Sequence, residues 1–412
     1  VYDWLTEEDR IDGSVTAASV AQFRPILMKV VAADKPSAVS TAGMESYSAG
    51  HASFVTNDRI AQDAGEFLST WFSRQAPMFI ELVRSAIESS QDPITILAAP
   101  LFGERRTAKM QIGSTENIRC FQEEYSASVT PGMQSLAQAA DRLAQHLKSH
   151  PNKMVQLRMG VTLGAFLIVR YMADLEFLYV PNEVFQRPAF LLDLQADDNS
   201  PVRLASQRSY ILACQSITRF YSWMFADYLS AMNYELGDLA SDYPGYDSPT
   251  KKADEKICRE VWNDAVNRAD SEESPYIVYG QAIYDILALL AEATPIQYLR
   301  QIGIRCGIFW PPYNLQPTKH IAPRQDMLEV LVRSVCKPGE MLNLPLLQDR
   351  LWDTFGIVIG GRPIDLDILI ERGIYQADDK ALDENQVAFA QKLKDLNFAR
   401  LLADGVLEVQ VS

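Results

Sequence analysis

The sequence predicts a mainly α protein, a multi-helix bundle body followed by a C-terminal winged-helix-like domain of helices and a β-hairpin. Three observations predict it. Proline directly after Ser or Thr recurs at Thr130-Pro131, Ser200-Pro201, Ser274-Pro275 and Thr294-Pro295, each ahead of apolar residues at helical spacing. Proline suits the first helical position, where φ is already helical and the missing N–H had no partner to lose. The stretch Met154–Tyr179 is apolar over several turns. Near the end, Arg400-Leu-Leu-Ala-Asp-Gly-Val-Leu-Glu-Val409 sets Asp-Gly between two apolar runs, a strong short-range hairpin signal.

Residues 1–125 read as a mixed, mostly helical N-terminal region. Ile60–Glu88 presents Phe67, Leu68, Trp71 and Phe72 as an apolar face, and Pro93–Pro100 is either a short buried strand or an extended connection. Residues 126–306 form the helical bundle domain. Leu136, Ala140, Leu143 and Leu147 repeat at helical spacing, and Met154–Tyr179 follows as a buried helix. Gly160 and Gly164 on that helix predict a close helix neighbour. A helix from Pro201 to about Leu236 carries Tyr210, Phe220, Tyr221, Trp223, Phe225 and Tyr228, read as core aromatics, and Gly237–Asp254 reads as a loop. Residues 307–323, with Pro311, Pro312, Pro317 and Pro323, form an extended connector, since proline at that density cannot continue a helix.

Residues 324–412 form the winged-helix-like domain. Arg324–Cys336 and Leu344–Phe355 read as its first two helices. Asp383-Glu-Asn-Gln386 reads as a capping-box variant opening a third helix, with Val387, Ala390, Leu393 and Leu396 on one face. Gly356–Asp379 is an insertion before it, and the hairpin closes the module.

The chain has 38 Lys and Arg against 53 Asp and Glu, a net charge of -15. Such a surface repels phosphate backbones at long range and argues against non-specific nucleic-acid binding by the whole molecule. Cys120, Cys214, Cys258, Cys306 and Cys336 are scattered, odd in number and without a CxxC pair, the pattern of reduced, mostly buried thiols in a cytoplasmic protein. The chain opens on Val1, so the true start is expected to lie elsewhere, and no apolar signal segment opens it. Met159–Val169 is the most lipid-like run and stops at Arg170, short of the about 20 residues a membrane span needs. A cytoplasmic location without membrane association is therefore expected.

No catalytic residue, cofactor site or metal site is assigned. His51, His146, His150 and His320 build neither HExxH nor a Cys/His zinc spacing. Phe355-Gly-Ile-Val-Ile-Gly-Gly-Arg362 lacks both the GxGxxG spacing and the P-loop lysine, so its glycines read as a helix end and a turn. Asp193, Asp197 and Asp198, with Glu183 nearby, precede Asn199-Ser200-Pro201 and read as a solvated loop and helix cap rather than a Mg²⁺ site. Ser48-Ala-Gly-His51 reads as a loop, and Glu104-Arg-Arg106 and Lys251-Lys252 as solvated charge.

The candidate contact residues are Arg362, Lys392, Lys394 and Arg400. In a DNA-reading winged helix the third helix enters the major groove and the hairpin touches the backbone, and these cations would make the contacts. The competing reading is a protein-docking or packing module. From Arg324 to Ser412 there are 10 Lys and Arg against 15 Asp and Glu, a net of -5, which favours protein docking.

Leu396-Asn-Phe-Ala-Arg-Leu-Leu-Ala-Asp-Gly-Val406 resembles the wing of winged-helix segments in large bacterial proteins. With a helical body and a sequence pI near 4.8, the chain resembles accessory subunits of bacterial anti-phage and restriction loci, including those tied to DNA modification such as phosphorothioation. The resemblance covers the last fifth of the chain. It implies work inside complexes with ATPase or nuclease partners, which would supply any ATP chemistry. The expected function is thus a non-enzymatic scaffold or adaptor subunit of a multi-protein bacterial assembly in anti-phage defence. The alternatives are a DNA-binding protein using the C-terminal module and a metal-dependent nuclease with a dispersed carboxylate site.

Overall fold

The computed structural model describes Met78 and residues 131–411, apart from 149, 181–185, 196, 198, 232–235, 242–251, 270–273, 291–294, 313–318 and 403–406. The readings of Ile60–Glu88, Pro93–Pro100, Ser48–His51, Glu104–Arg106, Glu183, Asp198 and Cys120 lie outside the described residues, Met78 excepted.

The described chain is mainly helical with a few small sheets. The four Ser/Thr-Pro pairs read as helix starts do open helices: α1 (Pro131–Leu147), α3 (Pro201–Ala231), α6 (Pro275–Leu290) and α7 (Pro295–Cys306). Between α1 and α3 lies α2 (Lys153–Tyr179), buried on nearly every side from Leu163 to Met172. A helix apolar all round belongs inside a protein, and α2 is the axis on which α1, α3 and α7 pack. Among the described residues no helix is long and apolar enough to cross a membrane. Of the α3 aromatics expected in the core, Tyr210, Phe220 and Tyr221 are buried, with Tyr221 stacked on Tyr284 at 6.2 Å between ring centroids, and Trp223 and Phe225 are half-buried against the same cluster.

Two details differ from the sequence reading. Gly237–Asp254, expected as a loop, is helical at both ends, in α4 (Leu236–Ser241) and α5 (Lys252–Ala269). The buried Trp262 of α5 ties them by donating from its indole N–H to the Leu239 carbonyl at 3.1 Å. At Gly164 a Cβ would meet no atom within 4 Å, so no close approach occurs there, whereas a Cβ at Gly280 would collide with the Ser222 carbonyl of α3. Gly280→Ala is therefore expected to destabilise the protein by about 1–3 kcal/mol in urea unfolding, against the about 1 kcal/mol that alanine gains in an exposed helix. A neutral or stabilising result would show that α3 and α6 can separate.

Cys214, Cys258, Cys306 and Cys336 are free thiols, all buried except the half-buried Cys214. The described ends of the expected connector 307–323 are paired: β2 (Phe309–Trp310) runs antiparallel to β3 (His320–Ile321) with Phe309 opposite Ile321.

The C-terminal elements follow as α8 (Gln325–Val335), β4 (Met341–Asn343), α9 (Leu344–Phe355), β5 (Ile357–Val358), α10 (Asp365–Glu371), α11 (Asp379–Asp395), β6 (Ala399–Leu401) and β7 (Leu407–Gln410). Asn343 caps α9 by accepting from the Leu346 N–H, and Gly356 ends it in the left-handed region at φ 62, where glycine carries no Cβ penalty. That turn leads directly into β5, which pairs in parallel with β1 (Phe190–Leu191), so the expected insertion 356–379 is anchored to the body. Helix α11 starts at Asp379 with the Asp378 carboxylate accepting from the Ala381 N–H at 2.8 Å. The expected start at Asp383 is a correction: Asp383 lies one turn inside the helix, because Asp378 offers the same capping chemistry earlier. The last sheet is ordered β4-β7-β6 and antiparallel throughout, with Leu342 opposite Val409 and Leu401 opposite Leu407. The Asp404-Gly405 turn lies outside the described residues.

One buried apolar cluster runs from Leu136 in α1 through α2 and α3 to Leu351, Phe389, Leu393 and Val411. Helix α1 packs on both α8 and α9, so the C-terminal elements share their core with the body.

Candidate functional site

The four candidate cations do not form one basic face. Arg362 is buried and held by two carboxylates: its Nε donates to Asp365 at 2.9 Å and its Nη1 to Asp349 at 2.7 Å. Arg400 is exposed on β6 but lies opposite Glu408, to which its Nε donates at 2.6 Å. Such a cross-strand pair cancels its charge locally. Lys392 and Lys394 sit half-buried in the last turn of α11, where cations complement the helix dipole.

The solvent-facing stripe of α11 is different in character. Lys380, Asp383, Glu384, Val387, Gln391 and Asp395 are exposed. Lys380 pairs with Glu384 at 3.8 Å, and Gln391 donates to Asp395 at 2.8 Å. The stripe thus carries an excess of carboxylate around Val387, which is 69% exposed. Val387 was expected on the apolar face with Leu393; the phase of α11 instead buries Ala381, Leu382, Asn385, Phe389 and Leu393.

Asn385 is the polar centre of that buried face. Its side chain accepts from the Leu194 N–H at 2.9 Å and donates to the carbonyls of Leu192 at 2.8 Å and Ile359 at 2.6 Å. One amide therefore joins α11 to the segment after β1 and the segment after β5, satisfying three buried backbone groups. Sequence reading missed it, although an asparagine in the 381, 385, 389, 393 series of otherwise apolar residues is a visible anomaly.

Asp193 lies beside this junction and is buried, not a solvated loop residue as expected. Its Oδ2 accepts from Arg203 Nε at 2.9 Å and lies 3.5 Å from His320 Nε2. Burial pushes its carboxyl up, while Arg203, the Gln195 N–H and the charge of Lys392 pull it back. Asp197 is exposed and accepts from the Asn199 N–H at 2.9 Å, a local turn. Among the described residues no group of three His, Cys, Asp or Glu could hold a metal ion. The space over Gly360 and Gly361 is occupied by Leu382 and Gln386 of α11, and Gln348 donates to the Gly360 carbonyl at 2.6 Å. That loop is packed against a helix, in keeping with a structural turn.

A second buried charge group clasps the body to α9. Arg170 and Arg187 both pair with Asp174, Arg170 also donates to the Pro188 carbonyl at 2.8 Å, and Arg187 reaches the Thr354 carbonyl at 3.1 Å. Burial lowers the Arg187 pKa to about 10, with Asp174 opposing the shift.

Between α9 and the turn before β4, Arg350 grips Glu340 with two hydrogen bonds of 2.7 Å, which hold the Glu340 carboxyl at about 2 instead of 4.5. A depressed carboxyl contributes stability that is present above its unfolded value and lost as pH falls through the folded one. Glu340→Gln is therefore expected to flatten the loss of urea stability between pH 4.5 and about 2. An unchanged acid limb would refute the bidentate pair. His146, lowered by burial from 6.5, adds a loss that begins as pH falls below 6.5, because the unfolded chain takes the proton first.

No protein-family model, curated protein or solved structure matches this chain.

Proposed function

We propose that residues 324–412 are a winged-helix-like module and that the chain is a non-enzymatic scaffold or adaptor subunit that docks a protein partner through it. With β5 and α10 set aside as the insertion, the order α8, β4, α9, α11, β6, β7, with β7 between β4 and β6, supports the winged-helix reading. The observation that carries the docking reading is the exposed stripe of α11, the module's third helix once α10 is counted with the insertion, with Asp383, Glu384 and Asp395 around Val387. A helix entering a DNA groove meets phosphates on both flanks and needs cations there; this one presents carboxylates and an apolar side chain, a combination that suits a basic protein surface. A partner of the ATPase or nuclease type in a bacterial anti-phage assembly, in the cytoplasm, remains the expected setting.

The test is affinity purification from the native host, followed by binding measurements with the recovered partner. Val387→Asp is expected to weaken that binding by at least about tenfold, while Lys392→Glu with Lys394→Glu leaves it within about twofold. The reverse ranking, together with a salt-sensitive mobility shift on duplex DNA, would replace docking by DNA binding.

A further inference from the structure

Where the chain leaves α10 for α11, the surface carries large apolar side chains among carboxylates. The Ile374 N–H donates to the Leu369 carbonyl at 2.9 Å and the Gly373 N–H to that of Ile370 at 3.0 Å, so Tyr375 emerges beside the end of α10. Arg208 of α3 donates from Nε to the Gly373 carbonyl at 3.3 Å, which sets α3 against the same turn. Leu204 lies one helical turn before Arg208 on the same face of α3. Tyr375 is 68% exposed, Leu204 52% and Ile370 43%. Beneath them Ala205, Leu369 and Ile374 belong to one buried cluster, so all three stand on a packed layer.

Single exposed apolar residues are ordinary, but three large ones gathered at one turn form a patch of the kind a partner covers. An exposed tyrosine supplies a broad anchor with little conformational entropy to lose. The surrounding charge selects the partner. Every exposed charged residue from 363 to 379 is a carboxylate: Asp367, Glu371, Asp378 and Asp379. Arg372 is half-buried and turned inward, donating to the Arg187 and Ile368 carbonyls at 3.0 Å and reaching Glu371 at 3.4 Å. Among the described residues no ion pair holds Asp367, Asp378 or Asp379. A second copy of this chain would bring the same carboxylates face to face, and a nucleic acid or anionic lipid surface would be repelled. A cationic protein segment is attracted. Asp379, Asp383 and Val387 follow at four-residue spacing on α11 and are all exposed, so the patch runs into the stripe of that helix.

We propose that Leu204, Ile370 and Tyr375, ringed by Asp367, Glu371 and Asp379, form a docking surface for a basic amphipathic segment of a partner protein, one that sets apolar side chains among Lys and Arg. The inference rests on the docking reading of α11 and names the chemistry of the segment that docks. Apolar side chains of the segment cover Tyr375 and its neighbours, and its cations meet the carboxylates of the rim.

The experiment is fluorescence anisotropy of a labelled amphipathic peptide of leucine and lysine titrated with the full chain, beside a leucine and glutamate peptide of equal length. The lysine peptide is expected to bind saturably at low salt and more weakly as salt rises, and the glutamate peptide not to bind. Tyr375→Ser is expected to weaken binding by at least about tenfold, and Ile370→Ser by about fivefold. Both positions are exposed, and an unfolding midpoint near that of the parent establishes that the variants are folded. Asp367→Asn with Glu371→Gln should weaken binding about fivefold at low salt and little at high salt. Glu260→Gln with Asp264→Asn, which removes two carboxylates from α5, should leave it within about twofold. Val387→Ser reads the α11 stripe separately. Loss in Tyr375→Ser without loss in Val387→Ser keeps this surface and takes the basic segment off α11. Loss in Val387→Ser alone overturns this surface and leaves docking on α11 standing. No saturable binding, an equal loss in the α5 variant, or self-association of the parent that Tyr375→Ser abolishes overturns the proposal.

Discussion

Asp174→Asn is expected to cost about 3–5 kcal/mol of unfolding free energy, the typical result of removing one partner from a buried ion pair. Asp174 is the carboxylate between Arg170, which is fully buried, and Arg187. Arg170 cannot turn to solvent to recover its hydration. It lies over the Phe190 ring, with its guanidinium carbon 4.4 Å from the centroid, and is fixed to the Pro188 carbonyl. Asparagine keeps the volume and one acceptor but leaves Arg170 without its carboxylate partner and Arg187 with only the charge of Asp353. Urea unfolding at neutral pH measures the loss. Replacing Arg170 and Asp174 together by methionine and leucine should cost less than the single change, since the charge desolvated with Asp174 also disappears. Additive losses would mean that Asp174 serves packing and not charge.

Asn385→Ala is the second large effect, expected at about 3–5 kcal/mol. The side chain satisfies the Leu194 N–H and the Leu192 and Ile359 carbonyls, and each buried backbone group left unpaired costs about 1–3 kcal/mol. Asn385→Asp keeps the acceptor but turns a carboxylate toward two carbonyls, so it should be no milder. A loss below about 1 kcal/mol in denaturant titration would show that water replaces the amide. Since whole domains are stable by about 5–15 kcal/mol, either variant should also raise protease susceptibility at ambient temperature.

The helical body was legible because its signals are local. Proline after Ser or Thr acts within one turn, and every helix expected from such a pair begins at its proline. The hairpin arms Ala399–Leu401 and Leu407–Gln410 were legible for the same reason. What escaped was non-local. The parallel pairing of Phe190 with Ile357 joins short segments far apart in the chain, and neither carries a periodic pattern. Two aspartates, Asp378 and Asp383, each stand where a cap could form, and tertiary packing decides between them. The candidate cations were chosen by residue type alone. Asp365 stands three residues from Arg362 but nothing local shows that Asp349 also closes on it, and the exact register that puts Glu408 directly across the ribbon from Arg400 is set by the turn between them.

The shared core has a mechanical consequence. With α1 packed on α8 and α9, and Asn385 stitched to the backbone on either side of it, the carboxy-terminal elements have no swivel. A partner gripping α11 would be held at a fixed bearing relative to the long axis of α2, and torque applied to that partner would pass straight into the bundle instead of being lost in a slack joint.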